Sequence, residues 1–474
     1  MTPRSHDRVV ISEARMERVC VIGAGSSGIA ACQVLAERGI PYDCYESGSE
    51  VGGNWRYEND NGMSSAYRSL HINTSRQVME YASFPMPADS PVYPGHLHIA
   101  RYFDAFVDHF GLRPSIAFRT EVTGVARTPD GRWSVTARRR DDDGATGGIY
   151  DAVLVANGHH WKPRMPRPAL PGADSFTGTQ THSHHYRTPE PFAGARVLVL
   201  GIGNSACDIA VETSRLSART FLTMRRGAHI LPKYLFGTPT DHLTGSWLAR
   251  APLSVQAAGL SLLLRLSRGR LSAYGLPEPR HGVLGAHPTI SDDLLSRLGH
   301  GDITVTPMVT ALDGDSAVFE DGSREQIDAV VYCTGYDISF PFLAKELIDP
   351  ADNAIGLYRR VVSPEHPGLY FIGLVQPLGA IMPLAEAQSH WVADLLQRRC
   401  ALPAPAAMRR EIAAYRARTA RRYVASSRHT IQVDARSHLK ELREERIRTA
   451  VRGNEGPWTV VPAARSRARL RRSR

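Results

Sequence analysis

The sequence predicts an α/β protein in which one Rossmann-like dinucleotide-binding unit is inserted into another. Three observations carry that prediction. The stretch RVCVIGAGSSGIAACQVLAERGIPYDCYE runs from an apolar strand through Gly23-x-Gly25-x-x-Gly28 into an amphipathic helix, and a second strand closes on Glu46. The stretch ARVLVLGIGNSACDIAVETSR repeats the plan around Gly201-x-Gly203, with Ala206 where a third glycine could stand. Two strand-then-glycine segments, YDAVLVANGHH and DAVVYCTGYD, bracket this second unit and mark crossings near 158–176 and 330–340.

Each glycine of the first turn has a separate reason. One permits the tight turn, one lets a pyrophosphate approach the backbone, and one brings helix and strand close together. The phosphates then rest on the helix N-terminus, where unpaired N–H groups and the helix dipole favour negative charge. Glu46, eighteen residues beyond Gly28, is placed to accept hydrogen bonds from a ribose diol. In the second unit the next strand, RTFLTMRRG, ends on Arg225 and Arg226 instead of an acid. An arginine there pairs with a 2′-phosphate, which an acid would repel; the alternative is two plain surface charges. An acid-tipped site and an arginine-tipped site in one chain imply FAD held in the first unit and NADPH docking on the second.

The domain plan follows. Residues 1–17 form a charged start without an apolar core region, read as disordered and not as a signal peptide. Residues 18–165 and 333–448 make the two parts of the FAD-binding domain, 166–332 the NADPH-binding domain, and 449–474 a basic, disordered tail. Within the first part, an Asp130-Gly131 turn separates two alternating strand runs. The segment APLSVQAAGLSLLLRLSRGRL (251–271) puts Leu253, Ala257, Leu260 and Leu264 on one helical face, with arginines at 250, 265, 268 and 270. A packed surface helix or a tunnel wall is the preferred reading over a membrane-surface helix. The arginine-rich pattern from Met408 to Arg448 covers the FAD domain.

Composition narrows the class. At 474 residues the chain exceeds one hydrophobic core, and 42% hydrophobic with 22% charged residues is ordinary for a soluble globular protein. Six scattered cysteines with no C-x-x-C suit a reducing cytosol and exclude a disulfide scaffold. They also exclude a pyridine-nucleotide disulfide reductase, since only Cys32 and Cys44 lie near the first helix, with eleven residues between them. The net charge is +10, but six arginines crowd residues 461–474, leaving the body about +4 (10 minus 6). That tail reads as a solvated end, so no nucleic-acid partner is expected. No apolar run is long enough to cross a bilayer. The stretch FTGTQTHSHHYR (176–187) packs His182, His184 and His185 together, yet no acid or thiol spacing around it completes a metal site. It reads as a connector, and no metal is expected.

The residues Phe176-x-Gly178-x-x-x-His182-x-x-x-Tyr186 resemble the fingerprint of the flavin-containing monooxygenases, the class B flavoproteins, and stand between the two units as in that family. GSEVGGNW (48–55), SLHINTSRQVMEYASFPMP (69–87), GIGNSACDIA (201–210), CTGY (333–336) and GLYFIGLVQP (368–377) are similar to family segments in matching order, so the resemblance spans roughly residues 18 to 445. It implies that Gly23, Gly25, Ser27, Gly28 and Glu46 hold the ADP half of FAD, and that Asn54, Trp55, Thr74 and Gln376 lie along the flavin. It implies that Gly201, Gly203, Asn204, Ser205, Asp208 and Arg225 contact NADPH, and that Asn73 is catalytic, steadying the C4a-(hydro)peroxyflavin formed with dioxygen. An alternative for Asn73 is a loop-capping side chain in HINTS.

The resemblance further implies an NADPH- and O2-dependent monooxygenase, bacterial-type and soluble, acting on a nitrogen or sulfur nucleophile of a small molecule. Baeyer–Villiger enzymes carry tryptophan where this chain has Tyr186, which points to the heteroatom branch. Ketone oxygenation is the alternative chemistry, and a nucleotide-sensing binding protein the alternative class. A cytoplasmic homodimer is expected, without the membrane anchor of animal relatives.

Overall fold

A computed structural model describes residues 18–141, 144–243, 253–283, 285–423 and 430–450. The expected disordered start (1–17) and nearly all of the basic tail (from 451) lie outside the described residues, as does Arg250.

The first sheet has five parallel strands in the order Leu369–Phe371, Ala152–Val155, Val19–Ile22, Tyr42–Tyr45, Ile116–Ala117. Its central strands, VCVI and AVLV, are buried throughout, as continuous apolar runs must be in a sheet covered on both faces. Helix Ser26–Glu37 lies against it, and buries Gly28, Ala30 and Ala31, small residues that permit close approach. Helix Met382–Leu396 packs on that helix in turn and closes a core that includes Trp391 and Phe103. The antiparallel strands Thr120–Arg127, Trp133–Arg139 and Ala145–Tyr150 form a separate sheet. Its first turn passes through Gly131 at φ +84°, the left-handed conformation that the Asp-Gly pair supplies.

The second sheet is also five-stranded and parallel: Ile303–Thr306, Arg219–Thr223, Arg196–Leu200, Ala329–Tyr332, Thr179–His182. The chain thus leaves the first sheet after Val155, completes the second, and returns at Leu369. The two crossings pair with each other, Lys162–Pro163 running antiparallel to Tyr336–Asp337. The insertion expected from the glycine turns is the observed topology.

Two elements differ from expectation. Thr179–His182, read as a connector, is an edge strand of the second sheet, paired with Ala329–Tyr332. An edge strand is held by main-chain bonds on one side and needs no apolar alternation, so TQTH carried no signal. The 408–448 pattern is divided: helices Pro405–Arg422 and Ala435–Arg448 flank a strand, Gln432–Asp434, that pairs with Gln376–Leu378. Ala435–Arg448 does cover the first unit, packing on Met382–Leu396. Two of its arginines find acids: Arg446 reaches Asp394 at 2.7 Å, and Arg448 reaches Glu445 at 2.6 Å.

Candidate active site

A single cavity of about 2310 Å³ runs past the carboxyl ends of both sheets, lined by residues following the strand ends: Gly23, Glu46, Asn157, Gly201, Arg225 and Thr334. That is where open α/β sheets bind ligands, and the volume exceeds the ~300–1,000 Å³ of ordinary small-molecule pockets.

The first glycine turn is built by close contacts. Gly23 has φ +97°, and a Cβ there would stand 2.9 Å from the Ala156 carbonyl oxygen. A Cβ on Gly28 would stand 1.8 Å from the Gly23 oxygen. Gly28 does not line the cavity; it seats the helix on its strand, the third of the roles described above. Gly25 opens the helix with no side chain capping it, and Gly25, Ser26 and Ser27 face the cavity. Glu46 is buried, which pushes its carboxyl pKa up, while amides hold the ionised form: Ala24 donates at 2.6 Å and Gly48 at 2.7 Å. A carboxylate has lone pairs beyond those two for a hydroxyl.

Further along the wall, Asn54 is fixed by its own Oδ1, which accepts from the Ser65 amide at 2.9 Å and its hydroxyl at 2.7 Å. Trp55, Thr74 and Gln376 also line the cavity. Asn73 stands between two anchored neighbours. The Ile72 amide donates to the Pro94 carbonyl at 3.1 Å, and the Ser75 amide and hydroxyl both donate to Asp241 at 2.7 Å. The Asn73 side chain itself makes no hydrogen bond to another described residue, so it is not the loop cap that HINTS allowed; it faces the cavity with both amide functions free.

The second turn repeats the construction. Gly201 has φ +140°, and its Cβ would stand 2.8 Å from the Cys333 carbonyl oxygen. Gly203 starts helix Asn204–Thr213 without a side-chain cap. Gly203, Asn204, Ser205 and Arg225 line the cavity, and Asn204 Oδ1 also accepts from the Ile290 amide at 2.8 Å. Arg225 and Arg226 are exposed at the rim. Asp208 departs from expectation. It does not line the cavity but accepts a hydrogen bond from the Tyr67 hydroxyl, and burial pushes its pKa up to about 6. Its helical phase turns it toward the first unit and away from the glycine turn.

A family model described as flavin-binding monooxygenase-like matches residues 16–450. The chain is 38% identical over 440 residues to flavin-containing monooxygenase 5 of Oryctolagus cuniculus, spanning 90% of this chain and 82% of that protein. The chain belongs to the flavin-binding monooxygenase family. It is 35% identical over 440 residues, at the same coverages, to the N-oxide-forming dimethylaniline monooxygenase 2 of Mus musculus. Among solved structures, the S-allyl-L-cysteine S-oxygenase of Allium sativum superposes with a TM-score of 0.69 at 26% identity, over 92% of this chain and 90% of that one. A steroid monooxygenase bound to NADP shares the fold, with a TM-score of 0.67 at 18% identity over 90% and 96% of the two chains.

This flavin-binding monooxygenase is an FAD- and NADPH-dependent enzyme, and its cavity suits both groups. Two uncapped helix N-termini offer amides to two pyrophosphates, one beside a carboxylate and one beside two arginines. The family fingerprint proves to be structural. Phe176 lies in the core, a Cβ on Gly178 would stand 2.4 Å from the Asp328 carbonyl oxygen, and the buried Tyr186 hydroxyl donates to Glu212 at 2.5 Å. None of Phe176, Gly178, His182 or Tyr186 lines the cavity. His182 Nδ1 accepts from the His184 amide at 3.0 Å, and burial holds its pKa at about 4, so it is neutral. Among the described residues no group of three or more His, Cys, Asp or Glu side chains is placed to hold a metal ion.

Sequence reasoning missed two wall residues. His159, just beyond the Ala152–Val155 strand, faces the cavity, and burial holds its pKa at about 4 against an opposing hydrogen bond with Gln376. Tyr67 faces it six residues before Asn73. The strand-end position was a signal for His159; nothing in the sequence marked Tyr67. The helix Leu253–Arg268 turns Gln256 and Leu260 to the cavity, as a tunnel wall would. No helix among the described residues is long and apolar enough to cross a membrane.

Proposed function

We propose that this monooxygenase oxygenates a soft nitrogen or sulfur nucleophile of a small molecule, with Asn73 as the catalytic side chain. The observation that carries the reading is the free amide of Asn73, held on an anchored turn in the wall of the cavity that both glycine turns also line. Gly25, Ser27 and Glu46 hold the ADP half of FAD, Asn54, Trp55, Thr74 and Gln376 lie along the flavin, and Gly203, Asn204, Ser205 and Arg225 hold NADPH. Bound FAD supplies the two-electron chemistry that splits dioxygen between substrate and water, with electrons from NADPH.

The protein's contribution is orientation and control of protons. An amide donates and accepts without changing charge, so Asn73 steadies an oxygen function in either protonation state. His159 stays neutral at physiological pH and brings no acidic proton to the wall. The apolar side chains of Ile72, Met79, Leu260 and Phe340 exclude water that would divert the oxygen to hydrogen peroxide. The heteroatom preference is supported by Tyr186 in the fingerprint and by the named activities of the N-oxide-forming and S-oxygenase relatives. A cytoplasmic location is supported by cysteines that are all free, five of them buried. The test supplies a thioether, a tertiary amine and a cyclic ketone in parallel with NADPH and labelled dioxygen. Labelled S-oxide or N-oxide supports the reading; labelled lactone alone overturns it.

A further inference from the structure

The helix Asn204–Thr213 begins at the second glycine turn and carries two carboxylates one turn apart, Asp208 and Glu212. Both are taken by tyrosines from other parts of the chain. Tyr67 donates its hydroxyl to Asp208, 141 positions away in sequence, and Tyr186 donates to Glu212 at 2.5 Å. The two rings meet edge to face, with centroids 6.0 Å apart and planes at 68°. Both rings share one apolar cluster with Ala206, Ile209 and Ala210 of the helix.

Tyr67 also begins the turn that ends in Asn73. Its carbonyl accepts the Leu70 amide at 2.9 Å, the Leu70 carbonyl accepts the His96 amide at 2.9 Å, and the Arg68 amide reaches the Arg187 carbonyl at 2.9 Å. Tyr67, Leu70, His71, Ile72 and Asn73 all face the cavity. The Tyr67–Asp208 bond therefore ties the helix whose N-terminus receives the NADPH pyrophosphate to the turn that holds Asn73. Burying a carboxylate is costly unless it is hydrogen-bonded, and here burial works against the Asp208 charge while the Tyr67 hydroxyl supports it.

We propose that the Tyr67–Asp208 hydrogen bond, backed by Tyr186–Glu212, is a strut through which occupancy of the NADPH site positions the Asn73 turn. Tyr67 and Asp208 are then positioning residues, acting through Asn73. The inference rests on the reading of Asn73 given above, and its test separates the two.

Hydrogen–deuterium exchange is followed in the FAD-loaded protein for peptides covering residues 68–74. The probe is ADP-ribose 2′-phosphate, which fills the arginine-tipped cradle but lacks the nicotinamide. The probe slows exchange at 68–74 at least threefold in the wild type. In Tyr67→Phe, which keeps the ring and removes the hydroxyl, that slowing disappears while the probe's Kd by calorimetry stays within about threefold. Asp208→Leu, which removes the acceptor at similar volume, behaves in the same way, and the double variant is no worse than either single one, as a shared interaction requires. Slowing that persists in Tyr67→Phe, or single effects that add, overturns the strut. Hydrogen peroxide released per NADPH is measured in parallel for Asn73→Ala. If Asn73→Ala does not leak while the exchange result holds, the Asn73 reading fails and the strut stands. If Asn73→Ala leaks and the exchange result fails, the reverse is true.

Discussion

Gly25 and Gly28 stand three residues apart in one motif, and the structure assigns them opposite kinds of failure. A methyl on Gly28 would stand 1.8 Å from the Gly23 oxygen and 2.8 Å from its carbonyl carbon. Ordinary carbon–oxygen contact begins near ~3.3 Å, so helix Ser26–Glu37 must retreat by roughly 1.5 Å from its strand. The methyl's position is fixed by its own backbone and its neighbour is backbone, so no rotamer relieves the contact, and the cost sits at the upper end of core overpacking, about 3 kcal/mol. A methyl on Gly25 meets nothing closer than the Gly53 Cα at 3.7 Å, and the residue's φ of −72° suits any side chain. Its effect on stability without cofactor is within about 0.5 kcal/mol. It does intrude on the cradle, and losing one charge-assisted hydrogen bond of about 1.5–3 kcal/mol weakens FAD roughly ten- to hundredfold. The assay is thermal unfolding of stripped protein with and without added FAD, together with a flavin fluorescence titration. Gly28→Ala is expected to lower the unfolding temperature of both forms, Gly25→Ala only that of the FAD-loaded form. A Gly25→Ala protein that binds FAD as tightly as wild type refutes the placement of the phosphates. A Gly28→Ala protein of wild-type stability refutes the close approach.

Asn73→Ala keeps NADPH oxidation but sends most of the electrons to hydrogen peroxide, read as peroxide formed per NADPH consumed in the presence of substrate. Arg225→Gln raises the KM for NADPH by roughly ten- to hundredfold, the worth of a charge-assisted phosphate contact, and leaves that for NADH unchanged; equal effects on both would remove Arg225 from the 2′-phosphate. Asp208 carries a pH signature. Its pKa rises from 3.8 to about 6 on folding, so between those values the folded chain binds more protons than the unfolded one and stability falls as pH rises through the window. Unfolding profiles from pH 4 to pH 7 should therefore shift in favour of Asp208→Asn by up to about 3 kcal/mol relative to wild type; parallel profiles would show that Asp208 is not shielded.

What was legible in the sequence follows from which contacts are local. The two glycine turns were readable because their constraints lie within a strand, a turn and a helix: Gly23 at φ +97° and Gly201 at φ +140° admit few alternatives. The insertion was readable because chain order alone places the second unit between two strands of the first. The position of Asp208 off the cavity wall was not legible, because a motif gives a residue's distance from the glycine turn, whereas its direction depends on helical phase against a distant Tyr67. TQTH was missed as a strand because an edge strand is specified by its neighbour, and the strand Gln432–Asp434 by its pairing with Gln376–Leu378. His159 carried a weak signal, lying just past a strand end, and Tyr67 carried none.

The same distinction explains the fingerprint. The motif Phe176-x-Gly178-x-x-x-His182-x-x-x-Tyr186 is specific to the family, yet its side chains are spent on packing and not on the cavity wall. Gly178 clears the Asp328 carbonyl, Phe176 fills the core behind the second sheet, and Tyr186 holds Glu212 one turn beyond Asp208. Tyr186 therefore bears on substrate choice only through the helix and through its edge contact with Tyr67. The cavity wall, by contrast, is assembled from separate stretches of the chain, with Asn73, His159 and Leu260 on three of them. No single motif records a wall assembled in that way.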